Sequence, residues 1–376
     1  MARTTRMRLR GLWFQVHKWI GLTLAVMIIP ISVSGSALVW HDWLDETLNP
    51  KRYAVTSGEA ALPPSAYAAA AQPALAPDER ILSIRYPEHG AGPMMVTAGR
   101  PQAPGNRPVR TSVWLDPADG RVLDKAGGND GAVRFLHVLH GRLQIQSFGR
   151  ELVGWVGVAM SISCLTGIWL WWPISGSFRR GFRWKRQNST NANIHHLVGF
   201  WVLVPLFVLS FTGAWISFPS AFGRFEAAPP KAAAGPPRAP PQALAGTARS
   251  ADAALAAALP LATGAPVSIA WPTDQAPAWK IAFEREGGAA EVAVDDASGE
   301  VTPPRPPRPE TNVRLMRRIH DGTGMGLGWQ ILIFIGGIIP AILATTGIVM
   351  WLRSRGWRAA LAKKRKADKM APQPAE

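Results

Sequence analysis

The sequence predicts an α-helical membrane protein with four transmembrane helices in two duplicated halves and with two small α+β modules outside the membrane. Three observations predict this fold class. Four segments of 21–24 residues contain no Asp, Glu, Lys or Arg, and about 20 apolar residues are enough to cross a bilayer core. The two halves of the chain repeat each other at a nearly fixed offset. The excess positive charge lies in alternate segments between the apolar ones.

The repeat relates residues 11–172 to residues 191–352 at offsets of 178 and 180. Each copy brings two histidines, one before each of its two apolar runs, and each run contains a Ser-Gly or Thr-Gly pair. A fixed offset of this length indicates that one structural unit occurs twice. The matched residues are His17 with His195, Ser34 and Gly35 with Thr212 and Gly213, His140 with His320, and Thr166 and Gly167 with Thr346 and Gly347.

The distribution of charge predicts the orientation of the chain. Residues 1–18 and 173–194 each carry five basic side chains and no acidic one, and residues 353–376 carry eight basic and two acidic ones. Because these segments account for the whole net charge of +16, we expect them to face the cytoplasm, and we expect no nucleic-acid partner. The predicted order is a cytoplasmic N-terminus (1–18), a first span (19–40), a first exported module (41–148), a second span (149–172), a cytoplasmic loop (173–194), a third span (195–219), a second exported module (220–328), a fourth span (329–352) and a cytoplasmic basic tail (353–376).

Alternating apolar and polar residues predict short strands in both exported modules. In the first module, residues 112–123 contain an Asp-Pro and Asp-Gly turn, and a helix at 134–140 leads into the second span. The second module repeats this plan with a helix at 251–260 and a hairpin at 278–302. The tail after the fourth span is predicted to be disordered. The remaining predicted strands are 81–87, 94–98 and 266–272.

Several function classes are disfavoured by what the sequence lacks. The chain has one cysteine, Cys164, so it has no disulfide, no covalent haem attachment and no iron–sulfur cluster. The apolar segments contain no Asp, Glu, Lys or Arg, although pumps and proton-coupled transporters usually place a charged group at mid-membrane. No nucleotide-binding, ATPase or hydrolase motif occurs.

Four histidines occupy places that match between the two halves. His17 and His195 lie at the predicted cytoplasmic ends of the first and third spans, and His140 and His320 precede the second and fourth spans on the external side. Duplicated membrane units commonly pack about a pseudo-twofold axis, which would bring His17 opposite His195 and His140 opposite His320. Each pair would then give two imidazoles to one b-type haem iron, a ligand set suited to electron transfer because it leaves no open position.

Neighbouring residues leave the ligand assignment open. His196 is an alternative to His195, and His137, which shares a helical face with His140, is an alternative to His140. Whether one haem or two is bound also stays open. Arginines near the external histidines are candidates to pair with haem propionates, because Arg binds carboxylates through two hydrogen bonds. They include Arg150 and Arg318.

A set of short sequence motifs is spread over residues 11–355. The motifs are HKWIGL (17–22), YP…LDPADGRVL (86–123), LHVLHG (136–141), GRELVG (149–154), IHHLVGF (194–200), IHDGTGMG (319–326) and TTGIVMWL (345–352). On these motifs the sequence resembles the PepSY-associated transmembrane proteins, also called iron-regulated or iron-uptake membrane proteins of bacteria. The resemblance implies a four-helix core in the bacterial inner membrane with PepSY-like periplasmic modules.

Some members of that family are ferric-siderophore reductases that carry b haems. The resemblance therefore implies a haem site made by His17 with His195 or His196 inside, and another made by His140 with His320 outside. The expected function is transfer of electrons from an unknown cytoplasmic or membrane donor to a periplasmic ferric siderophore or other ferric chelate, with release of Fe(II). The alternative is a non-enzymatic PepSY membrane protein that binds or regulates an envelope partner such as a peptidase.

Overall fold

The structure is a computed structural model, and it describes residues 2–87, 90, 92–100, 109–172, 178–183, 189–225, 240–286, 288–306 and 310–370. Parts of the predicted loop 173–194 and the last six residues of the tail lie outside these ranges. The chain divides into two compact units. The first, which we call the helical unit, comprises residues 1–41, 136–229 and 310–376. The second, which we call the sheet unit, comprises residues 42–135 and 230–309.

The described residues of the helical unit form helices, and a few short helices belong to the sheet unit. In chain order the described helices are α1 Ala2–Leu38, α2 His41–Leu48, α3 Pro64–Ala71, α4 Ala132–Arg142, α5 Gly149–Trp171, α6 Thr190–Ser217, α7 Pro219–Phe222, α8 Ala251–Ala258, α9 Asn312–Asp321 and α10 Gly326–Met370.

Four of the described helices are long and apolar enough to cross a membrane, as the four apolar segments of the sequence predict. Helix α1 packs against α5 and α10, and helix α6 packs against the same two helices. Each long helix therefore has two long neighbours in the bundle. The candidate spans are Met7–Leu38, Gly149–Trp171, Thr190–Ser217 and Gly326–Ala362.

Small residues let the helices of the bundle approach closely. A Cβ atom added to Gly157 of α5 would lie 2.8 Å from the carbonyl oxygen of Ser210 on α6, and one added to Gly154 would lie 2.7 Å from the Phe218 ring. In a bilayer, apolar burial between helices gives little driving force, so close backbone packing at small residues stabilises the contact.

Two helices extend further than the apolar segments predict. Helix α1 begins at Ala2, so the basic N-terminal segment is part of the same helix as the first span. Helix α10 continues to Met370, so the prediction of a disordered tail is wrong for residues 353–370. The tail is rich in Ala, Lys and Arg, which favour helix, and it contains no proline before Pro372.

The sheet unit is built on eight strands. All neighbouring strands are antiparallel, in the order β4-β3-β2-β1-β5-β6-β7-β8. They lie close to the predicted strand positions. The strands are β1 Arg80–Arg85, β2 Met94–Gly99, β3 Arg110–Leu115, β4 Val122–Gly127, β5 Pro266–Ala270, β6 Ala278–Arg285, β7 Gly288–Asp295 and β8 Val301–Thr302.

The two predicted modules form one continuous sheet instead of two separate domains. Strands β1 and β5 pair edge to edge, with Ile84 opposite Ile269. Helices α3 and α8 pack on strands of the first and second half respectively, and the side chains of Tyr86 and Trp271 pack against the apolar clusters of both halves. The pairing of β1 with β5 gives hydrogen-bond partners to backbone groups that would otherwise be unpaired at two strand edges.

Equivalent turns connect the last two strands in each half of the sheet. Gly120, after β3, and Gly299, after β7, both have φ of +75°, which glycine adopts without the steric cost that other residues have. The turn begins with an aspartate in each half, and Asp116 and Asp295 accept hydrogen bonds from the backbone N–H groups two residues later. These turns confirm the prediction made for residues 112–123.

Candidate functional site: two facing histidine pairs

The helical unit brings the four matched histidines together as two pairs. The ring centroids of His17 on α1 and His195 on α6 are 6.3 Å apart, with the ring planes nearly perpendicular. The ring centroids of His140 on α4 and His320 on α9 are 5.9 Å apart, with the planes at 39°. The structure thus has the two pairings that the repeat predicts.

These separations are close to the spacing of two imidazoles that share one metal ion. A transition metal lies about 2 Å from a histidine nitrogen, so two axial nitrogens lie about 4 Å apart. The centre of an imidazole ring lies roughly 1 Å behind the ligating nitrogen, so the centroids of two axial rings are expected about 6 Å apart. Both pairs match this expectation within about half an ångström.

In the pair made by His17 and His195, each ring is oriented by a threonine of a neighbouring span. Nδ1 of His17 lies 3.1 Å from the Ser163 carbonyl oxygen and 3.1 Å from the Thr166 hydroxyl, and Nδ1 of His195 lies 3.1 Å from the Thr346 hydroxyl. Both threonine hydroxyls donate their hydrogen to a carbonyl of their own helix. Their oxygens are therefore acceptors, and Nδ1 of each histidine carries the proton.

In the pair made by His140 and His320, the same tautomer follows from the contacts. Nδ1 of His140 lies 2.8 Å from the carbonyl oxygen of Ile31, which accepts a hydrogen bond and cannot donate one. Nδ1 of His320 lies 3.0 Å from the Thr212 hydroxyl, and that hydroxyl donates to the Val208 carbonyl. The proton again lies on Nδ1.

All four imidazoles therefore keep the Nε2 lone pair for another partner. Within the described part of the chain, no hydrogen bond reaches Nε2 of His17, His140, His195 or His320. Metal-bound histidines almost always donate the other ring N–H to a carbonyl, hydroxyl or carboxylate, which fixes the ring and the tautomer. The four rings are held in the way that metal ligands are held.

A glycine lies beside each of the four rings. A Cβ atom added to Gly35 would lie 2.6 Å from Cε1 of His140, and one added to Gly213 would lie 3.1 Å from Cε1 of His320. At Gly167 and Gly347 the distances to His17 and His195 are 3.4 and 3.8 Å. The Ser-Gly and Thr-Gly pairs of the repeat are therefore the surfaces on which the histidine rings lie.

His140 and His320, which lie outside the candidate spans, have lowered pKa values. Burial is the main cause that lowers the pKa of His140, and the nearby His137 lowers it further, while the hydrogen bond to Ile31 opposes the shift. Burial and the neighbouring His140 lower the pKa of His320 to about 4. Both imidazoles are neutral at pH 7, which is the form that binds a metal.

The structure separates the alternative histidines from the two pairs. Nε2 of His196 lies 3.2 Å from the Gly181 carbonyl oxygen, and its ring stacks on Trp171 at 5.9 Å. His137 forms an edge-to-face contact with His41, with ring centroids 5.9 Å apart. In this geometry His195 faces His17, and His140 faces His320.

The two candidate arginines have protein partners. Arg150 donates a hydrogen bond of 2.6 Å to the Ile216 carbonyl at the end of α6. Arg318 forms an ion pair of 2.9 Å with Glu310. The role that the sequence suggests for them, pairing with haem propionates, stays a prediction.

The two histidine pairs lie at different levels of the bundle. On α6, His195 and Thr212, which contacts His320, are separated by 17 residues, or about 26 Å of helix at 1.5 Å per residue. The described residues hold no group of three or more His, Cys, Asp and Glu side chains that could bind one metal ion. Each site therefore offers two protein nitrogens.

Sequence reasoning found the histidines but not the groups that orient them. The Ser163 and Ile31 carbonyls leave no trace in a sequence, because any residue supplies a carbonyl. The hydroxyls of Thr166, Thr212 and Thr346 were visible in the matched pairs of the repeat. Their position at the repeat offset is the signal that could have identified them.

A comparison with protein-family models matches residues 14–354 to the family described as PepSY-associated TM region. A search of the curated proteins finds no match.

Proposed function

The chain belongs to the family of the PepSY-associated TM region, and from that premise we propose that it is a dihaem b-type electron-transfer protein of the bacterial inner membrane. In this proposal it reduces a ferric siderophore or other ferric chelate on the periplasmic side and releases Fe(II). The substrate is the iron of the chelate, and the haems are the resident cofactors.

The observation that carries the proposal is the shared geometry of the two histidine pairs. Each pair presents two imidazoles at a centroid separation of 5.9–6.3 Å, and each ring is oriented through Nδ1. Two imidazoles per site are the share that a protein contributes to a bis-histidine haem, whose macrocycle supplies the other four nitrogens. The donor set of these residues therefore fits haem.

A haem bound at each pair would supply one-electron chemistry. His17 with His195, and His140 with His320, would hold the two irons, and two imidazoles on each iron would leave no position for oxygen or substrate. The Nδ1 hydrogen bonds to Ser163, Ile31, Thr346 and Thr212 fix the ring orientation and make Nε2 more electron-rich. Such closed sites favour outer-sphere electron transfer over ligand activation.

The direction of transfer is argued from charge. The basic residues of 1–18, 173–194 and 353–376 favour the cytoplasm for the end of the bundle that carries His17 and His195. The pair made by His140 and His320 would then lie towards the periplasm. Chelators that are selective for Fe(III) bind Fe(II) much less tightly, so one electron per iron is enough to release the metal.

The proposal is tested by single-turnover reduction with the purified full chain in detergent. The protein is reduced anaerobically, freed of reductant, and mixed with a ferric chelate in the presence of a chromogenic Fe(II) chelator. We expect haem reoxidation to match the appearance of two Fe(II) per chain. His320→Ala should abolish fast transfer, and His196→Ala should leave it unchanged.

Two outcomes would contradict the proposal. A protein that contains no haem after expression with ample haem supply cannot carry the reaction, and the partner-binding alternative would then be favoured. If the protein binds haem but transfers no electron to any ferric chelate, the cofactor assignment holds and the substrate assignment is wrong.

A further inference from the structure

A cavity of about 500 Å³ lies in the sheet unit, at the junction of the two halves of the sheet. Its walls come from β1, β2 and β3 of the first half, from β5 and β6 of the second half, and from residues 240–243. Side chains alternate between the two faces of a strand, and Thr97 and Lys280 in the cavity alternate with the buried Val96 and Ile281. The cavity is therefore on the face of the sheet opposite to α3 and α8.

The lining of this cavity is cationic. It includes Arg80, Arg100, Arg110 and Lys280, and no Asp or Glu. Arg100 lies 3.6 Å from the carboxylates of Asp78 and Glu79, and Lys280 lies 3.5 Å from Glu291. These two cations are partly neutralised by neighbours outside the cavity.

The other two cations are not neutralised. Arg80 donates to the carbonyl oxygen of Ala243, which holds the guanidinium at the wall without cancelling its charge. The exposed side chain of Arg110 makes no ion pair with the described residues. The cavity therefore has an excess of positive charge where β1 and β3 begin.

Apolar groups make up most of the remaining wall. Leu82, Ala270, Ala278, Pro240 and Pro241 lie in it. Small-molecule sites are typically cavities of about 300–1,000 Å³ with apolar walls and a few polar groups that fix orientation. Cationic side chains beside an apolar wall suit a ligand that carries negative charge.

We propose that this cavity binds an anionic metal chelate at the junction of the two halves of the sheet. This inference rests on the proposed function, because it names the class of ferric chelate that the protein would receive. Arg80 and Arg110 contact the negatively charged oxygens, and Leu82 contacts an apolar part of the ligand.

The test uses gallium(III) complexes, because Ga(III) has nearly the size of Fe(III) and is not reduced. Binding to the full chain in detergent is measured by isothermal titration calorimetry with two probes of similar size. One is a hexadentate tris-catecholamide complex of net charge −3, and the other is a hexadentate trihydroxamate complex of net charge zero. We expect the anionic complex to bind at one site per chain at least tenfold more tightly.

Matched variants locate the binding. Arg110→Gln should weaken binding of the anionic complex about tenfold, because it removes a charge-assisted hydrogen bond, and Arg110→Glu should weaken it further. Arg285→Gln removes the same charge from the far end of β6, outside the cavity, and should change the affinity less than twofold. Equal thermal unfolding midpoints check that the variants are folded.

The inference is overturned if the wild-type chain binds neither complex, if it binds both equally, or if Arg110→Gln and Arg110→Glu bind as the wild type does. None of these results depends on haem or on electron transfer. If the protein reduces ferric chelates but the arginine variants bind normally, the cavity assignment fails alone. If the anionic complex binds but no haem is present, the proposed function fails alone.

Discussion

Gly35→Ala is the substitution that most sharply tests whether the glycines position the histidine rings. The added Cβ would lie 2.6 Å from Cε1 and 2.8 Å from Nδ1 of His140, whereas ordinary contact begins near 3.4 Å. The ring must therefore move by about 0.8 Å. A movement of that size along the 2.8 Å bond from Nδ1 to the Ile31 carbonyl would lengthen it to about 3.6 Å, beyond hydrogen-bond range, and a movement in another direction would bend it.

The expected effect is loss of haem from one site. Substitutions of residues that orient a metal-bound histidine typically cost 10–100-fold in affinity. We expect the haem content of Gly35→Ala to fall from two towards one per chain, measured as the pyridine haemochrome. Alanine favours helix over glycine by about 1 kcal/mol, so a weaker helix cannot explain the loss.

Three other glycines supply a graded series and a control. The distance from the added Cβ to the nearest atom of the neighbouring histidine ring increases from 3.1 Å at Gly213 to 3.4 Å at Gly167 and 3.8 Å at Gly347. We expect the haem loss in the alanine variants to decrease in that order. Gly21 of α1 has nothing within 4 Å of the added Cβ, and Gly21→Ala should keep both haems. Full haem content in Gly35→Ala, or equal losses in Gly35→Ala and Gly347→Ala, would refute the reasoning.

Two further predictions concern the sheet unit. Arg52 is buried between Asp45 and Asp124, at 2.9 Å from each. Because Arg52→Met leaves the two carboxylates without their partner, we expect the free energy of unfolding to fall by about 3 kcal/mol. Urea denaturation measures this change, and an unchanged midpoint would contradict the prediction. Burial opposes ionisation of Asp116, but hydrogen bonds from Thr56 and the Ala118 N–H outweigh it and lower its pKa. The lowered pKa stabilises the fold at pH values above the unfolded-state pKa of about 4, and this contribution is lost as the pH falls through the folded-state pKa. Asp116→Asn should therefore lower the thermal midpoint at pH 7 and reduce its fall between pH 5 and pH 2.5; an equal fall in wild type and variant would contradict the assignment.

The sequence predicted the spans and the histidine pairs for a physical reason that the structure makes clear. A stretch of about 20 residues without charge has few alternatives to a membrane helix, and the repeat assigned each histidine its counterpart. Within each half, the histidine before one span contacts the Ser-Gly or Thr-Gly pair of the other span. His17 on Thr166 and His195 on Thr346 show this relation.

The choice between His195 and His196 could not be made from the sequence. Adjacent residues differ by about 100° around a helix, so which of them faces α1 depends on the rotation of α6. In the observed rotation of α6, His196 contacts Trp171 and the Gly181 carbonyl. The repeat could not report these contacts, because Lys18 occupies the position of His196 in the first half.

The pairing of the two predicted modules into one sheet also could not be predicted from the sequence. Strands β1 and β5 each show the alternation of a half-buried strand, and alternation does not say which edge pairs with which. Burial of Trp271 and Tyr86 between the two apolar clusters depends on that pairing. The cationic cavity exists only because β1 and β5 lie side by side.

The most direct test of the central claim is the haem content and absorption spectrum of the purified full chain, oxidised and then reduced with dithionite. The account predicts two b-type haems per chain with the spectrum of bis-histidine ligation. It predicts one haem in His17→Ala and one in His320→Ala, and two in His196→Ala. A wild-type chain without haem, or a chain whose haem content is the same in His17→Ala and His320→Ala as in the wild type, would contradict it.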